Sequence, residues 1–227
     1  MATMTVRAER AGATREQILT AAERLFAEHG VFAVSNRQVS EAAGQGNNAA
    51  VGYHFGTKTD LVRAIVRRHT ERIERIRRRM LAETAGSGEV RDWVACLVRP
   101  VTEHLAELGN PTWFARFGAQ VMTDPVLRDI MIEDALTSPA LVEILAELRR
   151  CLPELPPDVR AERRDMTSHL MAHVCAEHER ALAEDTPTPR AGWHDAATGL
   201  IDATVGLWTA PVTPPGGRTT SRKGSRR

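Results

Sequence analysis

Residues Ser35 to Lys58 read SNRQVSEAAGQGNNAAVGYHFGTK, and this stretch predicts two short helices separated by a glycine-containing turn. Ser35 followed by Gln38 has the form of a capping box, which starts a helix, and Gly44 ends that helix. We expect the second helix over Asn47–Phe55. This helix-turn-helix spacing is typical of chains that insert one helix into the major groove of DNA.

The flanking residues predict a helix on each side of this unit. Thr14 to His29 has apolar residues at helical spacing, and Thr14 followed by Gln17 predicts another capping box. Gly56 interrupts the helical pattern, and Thr57 is expected to cap a long helix over Asp60–Glu83. The sequence therefore predicts a compact helical head.

Side chains on the two short helices divide into an inner and an outer set. Asn47 or Asn48 is expected to cap the second short helix. The inner set, expected to form the core, contains Val39, Ala42, Ala43, Val51 and Phe55. The outer set, expected to face away from the head, contains Asn48, Ala49, Gly52 and Tyr53.

Three runs carry a family resemblance: TREQILTAAERLFAEHG from Thr14, VSNRQVSEAAG from Val34 and AVGYHFGTKTDL from Ala50. Together they resemble the N-terminal domain of the TetR family of bacterial transcriptional regulators, over roughly residues 14–72. The resemblance implies an all-helical homodimer that binds a double-stranded DNA operator through a recognition helix at Asn47–Phe55. It also implies a C-terminal domain that senses a small molecule.

Matching positions imply which residues contact DNA. Arg37 and Lys58 correspond to phosphate contacts, and Asn48, Ala49 and Tyr53 correspond to groove contacts. The complete expected set is Ser35, Arg37, Asn47, Asn48, Ala49, Gly52, Tyr53, His54, Thr57 and Lys58. Gly52 is a departure, because many members of the family carry a large aromatic residue there.

Charge is distributed unevenly along the chain. Residues 1–83 contain 14 basic and 9 acidic residues, a net charge of +5, whereas residues 84–212 contain 11 and 20, a net charge of −9. Residues 213–227 add five basic residues and no acidic ones, which gives the overall charge of +1. Basic surface attracts phosphate and acidic surface is repelled by it, so the head is expected to face DNA.

The long helix after the head is rich in arginine. The sequence predicts that most of these arginines form a solvated face, with Glu71 and Glu74 as local partners. At about 1.5 Å per residue, the helix is long enough to join two domains and to act as a lever between them.

The rest of the chain predicts helices only, so we assign an all-α fold: a helix-turn-helix DNA-binding domain and a C-terminal helical domain for ligand binding and dimerisation. The further helices are expected at Glu89–Leu108, Pro111–Thr123, Pro125–Ala135, Pro139–Leu152, Pro157–Glu184 and Ala191–Ala210. The last two can form a hairpin that pairs with its copy in a second subunit, or they can pack only within the chain. Small residues favour close helix approach there: Ala196, Ala197, Gly199, Ala203 and Gly206.

A cluster of aromatic and methionine side chains is the candidate effector site. Pockets in helical bundles are mostly apolar with few polar groups, although such a cluster is also typical of ordinary core. The candidate residues are Trp93, His104, Trp113, Phe114, Phe117, Met122 and Met131, with His169 and His173 as polar groups. We expect a largely apolar effector and no cofactor.

Metal binding and catalysis receive little support. His169 and His173 share a helix face and can bind a metal as a pair, but Cys175 and His178 lie on another face, so no metal site is assigned. No G-x-S-x-G motif is present, and Gly44-Gln45-Gly46 lacks the Lys-Ser/Thr of a phosphate-binding loop. The chain is therefore not expected to be an enzyme.

Composition bounds the location and the domain plan. Three widely spaced cysteines favour a reducing compartment, and no apolar run is typical of a signal peptide or membrane span, so we expect a cytoplasmic protein. We divide the chain into an arm (1–12), a DNA-binding head (13–59), a connecting helix (60–83), a helical body (84–210) and a basic disordered tail (211–227). The tail either adds DNA affinity or only aids solubility.

The sequence thus predicts a ligand-responsive transcriptional regulator, a repressor that a small molecule releases from a palindromic operator. The alternatives are a metal-responsive DNA-binding sensor and a dimeric DNA-binding protein without an effector.

Overall fold

The structure, a computed structural model, describes residues 2–213, with side chains described from Ala11 onward. All regular elements in that range are helices, which confirms the all-α prediction. In chain order they are α1 (Ala2–His29), α2 (Asn36–Ala42), α3 (Ala50–Phe55), α4 (Lys58–Thr84), α5 (Val90–Leu108), α6 (Phe114–Met122), α7 (Pro125–Leu136), α8 (Pro139–Cys151), α9 (Pro157–Ala183) and α10 (Trp193–Thr209).

Local capping sets the ends of the helices in the head. Ser35 and Gln38 form the predicted capping box of α2, and Thr57 forms one with Asp60 at the start of α4. Gly44 follows α2 with φ +67°, a left-handed conformation that favours glycine. The interior of the head is as predicted at Val39, Ala43, Val51 and Phe55, which are all buried.

Three predictions about the head are wrong. Helix α1 begins at Ala2 and not at Thr14, because no proline interrupts the preceding residues, so residues 2–12 of the predicted arm are helical and Thr14 is not a cap. Helix α3 begins at Ala50 and not at Asn47, and Ala42 is exposed. The basic tail beyond residue 213 lies outside the described residues.

The six helices of the body begin and end within three residues of their predicted positions. Helix α5 packs most closely on α10, and α6 packs on α9. Helix α4 reaches from the head into the body and packs on α5, α7 and α8. None of the described helices is long and apolar enough to cross a membrane.

The arginines of α4 bind other helices more than the sequence predicts. Glu74 is a local partner, as predicted, but Glu71 makes no ion pair with any described residue. Arg77 is buried and not solvated, because it lies one turn after Ile73 on the apolar face of the helix. Pairs to other helices are Arg67–Asp134, Arg68–Glu23, Arg72–Glu107 and Arg79–Glu103. They join α4 to α1, α5 and α7.

Candidate DNA-binding surface and effector cavity

Helix α3 presents an outward face that has no role in the fold. Asn48, Ala49, Gly52 and Tyr53 are exposed, and the Tyr53 side chain is 83% exposed. The residues at 49, 52 and 53 lie on one side of the helix because they are three and four positions apart. A Cβ placed on Gly52 meets no atom within 4 Å, so packing does not require a glycine at this position. The missing side chain leaves this part of the helix surface open to close approach.

The turn before α3 is held by side chains of the head. Asn47 Oδ1 accepts a hydrogen bond from the Ala49 N–H at 2.9 Å, so Asn47 orders the first turn although it lies outside the helix. Ser40 Oγ donates to the Asn48 carbonyl at 3.3 Å. Gln45 Nε2 donates to Gln17 of α1 at 3.1 Å, which fastens the turn between α2 and α3 to the first helix.

The far end of α3 is fixed by Arg15 of α1. The Arg15 guanidinium donates to the His54 carbonyl at 3.0 Å and lies 4.2 Å from the centre of the Phe55 ring. The His54 and Tyr53 rings meet edge to face at 5.1 Å. Helix α3 is therefore positioned at both ends, while its outward side chains make no hydrogen bond with any described residue.

Polar groups border α3 on both sides. Ser35 and Thr57 are the capping residues of α2 and α4, so each marks a helix N-terminus, which attracts phosphate. Arg37 is exposed and donates to Glu41 at 2.8 Å; that hydrogen bond raises the pKa of the guanidinium, so Arg37 keeps its charge at any relevant pH.

Lys58 has partners inside the head. Its ammonium donates to the carbonyls of Val31 at 3.0 Å and Val34 at 2.5 Å, and burial lowers its pKa. An ammonium has three donors, so one remains for a phosphate. Lys58 thus fastens the loop between α1 and α2 to the start of α4, whatever it does with DNA.

A buried polar chain connects the head to the body. Glu23 of α1 pairs with Arg68 and lies 2.9 Å from Nε2 of His69 in α4, and His69 Nδ1 lies 2.7 Å from Nε2 of His104 in α5. Burial lowers the pKa of His104 to about 4, with the neighbouring His69 as the second cause. The ring of Phe114 stacks on His69, with 3.8 Å between their centres.

The body contains an apolar cavity of about 270 Å³. Phe114, which stacks on His69, is one of its lining residues, so the buried polar contacts extend to the cavity. The cavity lies between α4, α5, α6, α7 and α9. Burial raises the pKa of the lining thiol of Cys175 to about 12, so that group is neutral. The apolar wall includes Val66, Ile73, Leu105, Phe114, Met122, Met131 and Met171.

A buried carboxylate holds the helix that forms one wall of the cavity. Glu179 of α9 accepts from the N–H groups of Ala115 at 3.0 Å and Arg116 at 2.9 Å, and from Arg116 Nε at 3.1 Å. Its side chain is 1% exposed, and this burial raises its pKa despite those donors. Glu179 therefore satisfies the free N-terminus of α6, which otherwise has no side-chain cap.

Two family models match the chain, and together they cover most of the head and most of the body. The model described as bacterial regulatory proteins, tetR family, matches residues 18–65, which contain α2 and α3. The model described as tetracyclin repressor-like, C-terminal domain, matches residues 95–206, which contain most of the body.

The chain belongs to the TetR family.

It is therefore a DNA-binding transcriptional regulator, as the sequence predicts. The relatives of this TetR-family chain include two proteins named HTH-type transcriptional repressor AcnR. The protein from Corynebacterium diphtheriae is 29% identical over 152 residues, which cover 64% of this chain and 72% of that one. The protein from Corynebacterium glutamicum is 36% identical over 63 residues, 28% of this chain and 33% of that one.

Solved structures of the family share less sequence with this chain. The TetR-family regulator PfmR from Thermus thermophilus is 19% identical, with a TM-score of 0.49 over 88% of this chain and 98% of that one. LfrR from Mycobacterium smegmatis, solved in complex with proflavine, is 23% identical, with a TM-score of 0.45 over 89% and 99%.

The predicted effector residues do not all meet at one cavity of this TetR-family body. Phe114, Met122 and Met131 line the cavity. Trp93, His104 and Phe117 are buried but do not line it: Trp93 donates to the Ser87 carbonyl, His104 contacts His69, and Phe117 stacks on Phe26. Trp113 lies at a groove beside α1, His169 is half-buried on α9, and His173 is exposed on the same helix.

The cavity also uses residues that the sequence reasoning missed. Val66, Thr70 and Ile73 of α4 and Met171 of α9 line it, and so does the buried Arg77. One signal for Arg77 was available, because its position falls within the apolar stripe of α4.

The histidines and cysteine of α9 do not gather into a metal site. His169 and His173 stack with 6.5 Å between ring centres, whereas Cys175 faces the cavity and His178 packs on Trp193. Within residues 11–213, whose side chains are described, no group of three potential ligands is close enough to hold a metal ion.

Proposed function

We propose that this chain is a homodimeric repressor that binds a palindromic DNA operator through α3 and is released when a small, largely apolar molecule enters the body cavity. The observation that carries the proposal is the outward face of α3, which is exposed, is fixed at both ends and, among the described residues, makes no side-chain hydrogen bond. The repressor assignment is supported by the two AcnR relatives, whose names describe transcriptional repressors.

Contacts to DNA would be of two kinds. Asn48, Ala49, Gly52 and Tyr53 lie where a groove would be read: the small Ala49 and Gly52 allow close approach, and Asn48 and Tyr53 offer polar groups to base edges. Ser35, Arg37 and Thr57 border this face and would position it on the phosphates. Asn47 and His54 hold the helix ends, and Lys58 offers its one remaining donor.

The second subunit would pack on α9 and α10. Ala196 and Ala197 are buried within the chain, but Val174, Ala203 and Gly206 are exposed on the open side of the two helices. Gly199 is covered by the Arg190 guanidinium, which lies 3.1 Å from the place of an added Cβ, so that glycine serves the chain itself. Pairing this face with its copy would place two heads on the same side of a duplex.

Release would follow the contacts between cavity and head. A ligand beside Phe114 acts on His69, and through it on Glu23 of α1. A second contact runs from Phe117 of α6 to Phe26 of α1, whose ring centres are 6.4 Å apart. A ligand that binds one position of α6 more tightly would favour the spacing of the two heads that goes with that position. Release follows when this spacing does not match the operator, and the size of the shift is set by the difference in ligand affinity between the two states.

Selection from a random pool of DNA duplexes, read by sequencing, tests the DNA-binding part of this proposal. We expect an enriched inverted repeat whose half-site centres lie about 34–36 Å apart, or one further turn, with two chains bound per duplex. Salt-sensitive binding with no enriched sequence would contradict the proposal. One chain per duplex would contradict the dimer.

A further inference from the structure

The effector cavity continues into a second, smaller cavity of about 200 Å³. Six residues line both cavities, among them Arg77, Val101 and Met171. The second cavity is otherwise lined mainly by apolar groups, which include Leu97, Leu145 and Trp208. With the 270 Å³ of the first cavity, the connected space falls in the range of about 300–1,000 Å³ that small-molecule sites occupy.

Arg77 stands at the junction with one edge of its guanidinium unused. The residue is only 7% exposed. Its Nη1 donates to Glu74 at 3.4 Å and to Ser138 at 3.3 Å. Nε is buried without a partner, and among the described residues no hydrogen bond involves Nη2. Nε and Nη2 form the side-on fork that binds a carboxylate through two parallel hydrogen bonds.

The charge around Arg77 is incompletely balanced. Its one acidic partner, Glu74, also accepts from Arg78 Nε at 3.1 Å, so a single carboxylate faces two guanidinium groups. Glu74 has further donors in the Ser138 hydroxyl and the Ala140 N–H. Of the nearby acids, Asp165 at the second cavity pairs with Arg164, and Asp134 pairs with Arg67. Arg78 is largely exposed and lines neither cavity, so Arg77 is the guanidinium of this group that a ligand in the cavity would meet.

We propose that the effector is an apolar monocarboxylate, whose carboxylate binds the Nε and Nη2 edge of Arg77 while its hydrocarbon part fills the two cavities. This inference rests on the proposed function, since it names the class of molecule that the same cavity binds. A buried donor without a partner carries a free-energy cost, and a carboxylate at this position removes it. The other guanidinium on the wall, Arg164, is paired with Asp165, so among the described residues Arg77 alone offers an unpaired edge to a ligand charge.

Gly118 provides a way to close the first cavity without disturbing Arg77. It lies on α6, lines the cavity, and a Cβ added to it meets no atom within 4 Å. Gly118→Leu should therefore project into the binding space, because its Cβ has room there, and replacing a helical glycine also favours the helix.

The test compares decanoate with 1-decanol, two probes of equal chain length, by isothermal titration calorimetry on the full chain below the micelle concentration. Decanoate should bind about ten- to a hundredfold more tightly than 1-decanol, the usual gain from a charge-assisted hydrogen bond. Gly118→Leu should weaken binding of both probes. Arg77→Leu should abolish the preference for decanoate. Glu74 keeps three other donors in that variant, so the fold should persist.

Arg78→Gln is the matched control, because Arg78 shares Glu74 but its side chain is 64% exposed and does not line either cavity. It should keep the full preference for decanoate. Equal affinity of the wild type for decanoate and 1-decanol would overturn the proposal that a carboxylate binds Arg77. If Gly118→Leu then weakened binding of both probes, the cavity would still be the effector site. Binding of neither probe would also overturn it. The proposed function fails separately, when the duplex selection enriches no inverted repeat.

Discussion

The outward face of α3 and the inward edge of Arg77 are alike in one respect: each presents polar groups that the fold does not use. They differ in burial, since Tyr53 is 83% exposed and Arg77 is 7% exposed. Unused groups on an exposed, rigid face suit a partner as large as DNA, whereas an unused donor inside a cavity suits a small molecule. Burial thus separates the two kinds of binding that one chain carries.

The largest expected effect comes from removing the side chain that caps α6, which should disturb the cavity and leave the outward face of α3 unchanged. Glu179→Ala leaves two backbone N–H groups and the Arg116 guanidinium without their acceptor. Loss of one member of a buried ion pair costs about 3–5 kcal/mol, so the midpoint of urea denaturation should fall markedly. Glu177→Ala is the control: its carboxylate is 70% exposed and pairs only with Arg180, so stability should hardly change. Equal effects of the two substitutions would contradict the role of Glu179.

Acid should destabilise the buried contacts among α1, α4 and α5, because they include His104. Its folded pKa of about 4 lies below the ordinary value of 6.5, so the unfolded chain binds a proton that the folded chain excludes. The free energy of unfolding is unaffected by this group above pH 6.5 and falls as pH drops toward 4, by up to about 1.4 kcal/mol per pH unit.

His104→Gln should flatten this part of the stability profile, measured by urea denaturation from pH 7 to pH 4. His69, Glu23, Glu107 and Arg72 also act on the His104 charge and remain in the variant. A variant profile parallel to that of the wild type would show that other groups cause the acid sensitivity.

Tyr53→Ala tests the outer region. An exposed side chain that contacts DNA contributes about 1–3 kcal/mol, so affinity for the enriched duplex should drop about ten- to a hundredfold. Thermal stability and dimerisation should stay unchanged, because the side chain packs on little beyond His54. Val126→Ala, on the exposed surface of α7, should leave DNA affinity unchanged. Unaltered affinity in Tyr53→Ala would contradict the groove assignment.

Lys58→Met separates a phosphate contact from a role in the fold. Loss of the ammonium leaves the carbonyls of Val31 and Val34 without their donor, a cost of about 1–3 kcal/mol in unfolding free energy. If Lys58 also binds phosphate, affinity falls alike for all sequences and the slope of log affinity against log salt decreases by about 0.9. Lower stability with an unchanged salt slope would assign Lys58 to the fold alone.

Local signals made the head largely predictable from sequence. The capping boxes at Ser35 and Thr57 depend on residues three positions apart, so they can be recognised without knowing the fold. Helix bounds in the body were also predictable, because prolines and caps mark them. The capping pattern at Thr14 predicts a helix start there, but Thr14 lies inside a continuous helix, so the pattern does not predict the N-terminal extension of α1.

The cavity could not be predicted in the same way. Its wall depends on which helix faces meet, and residues such as Phe117 and Trp93 have the same chemistry as lining residues yet pack elsewhere. The partners of Glu179 and Arg77 lie more than 60 positions away, at Ala115 and Ser138, so no local pattern signals them. The metal alternative depended on a similar meeting of faces, which the helical geometry of α9 does not provide.

The most direct test of the central claim is amide hydrogen exchange of the full chain, with and without its enriched duplex. We predict slower exchange in residues 35–37 and 47–57 when DNA is bound, because α3 and its borders form the interface. Exchange in the cavity wall of α6 should change less. Unchanged exchange over residues 47–57, with slowed exchange elsewhere, would contradict the assignment of α3 as the DNA-reading helix.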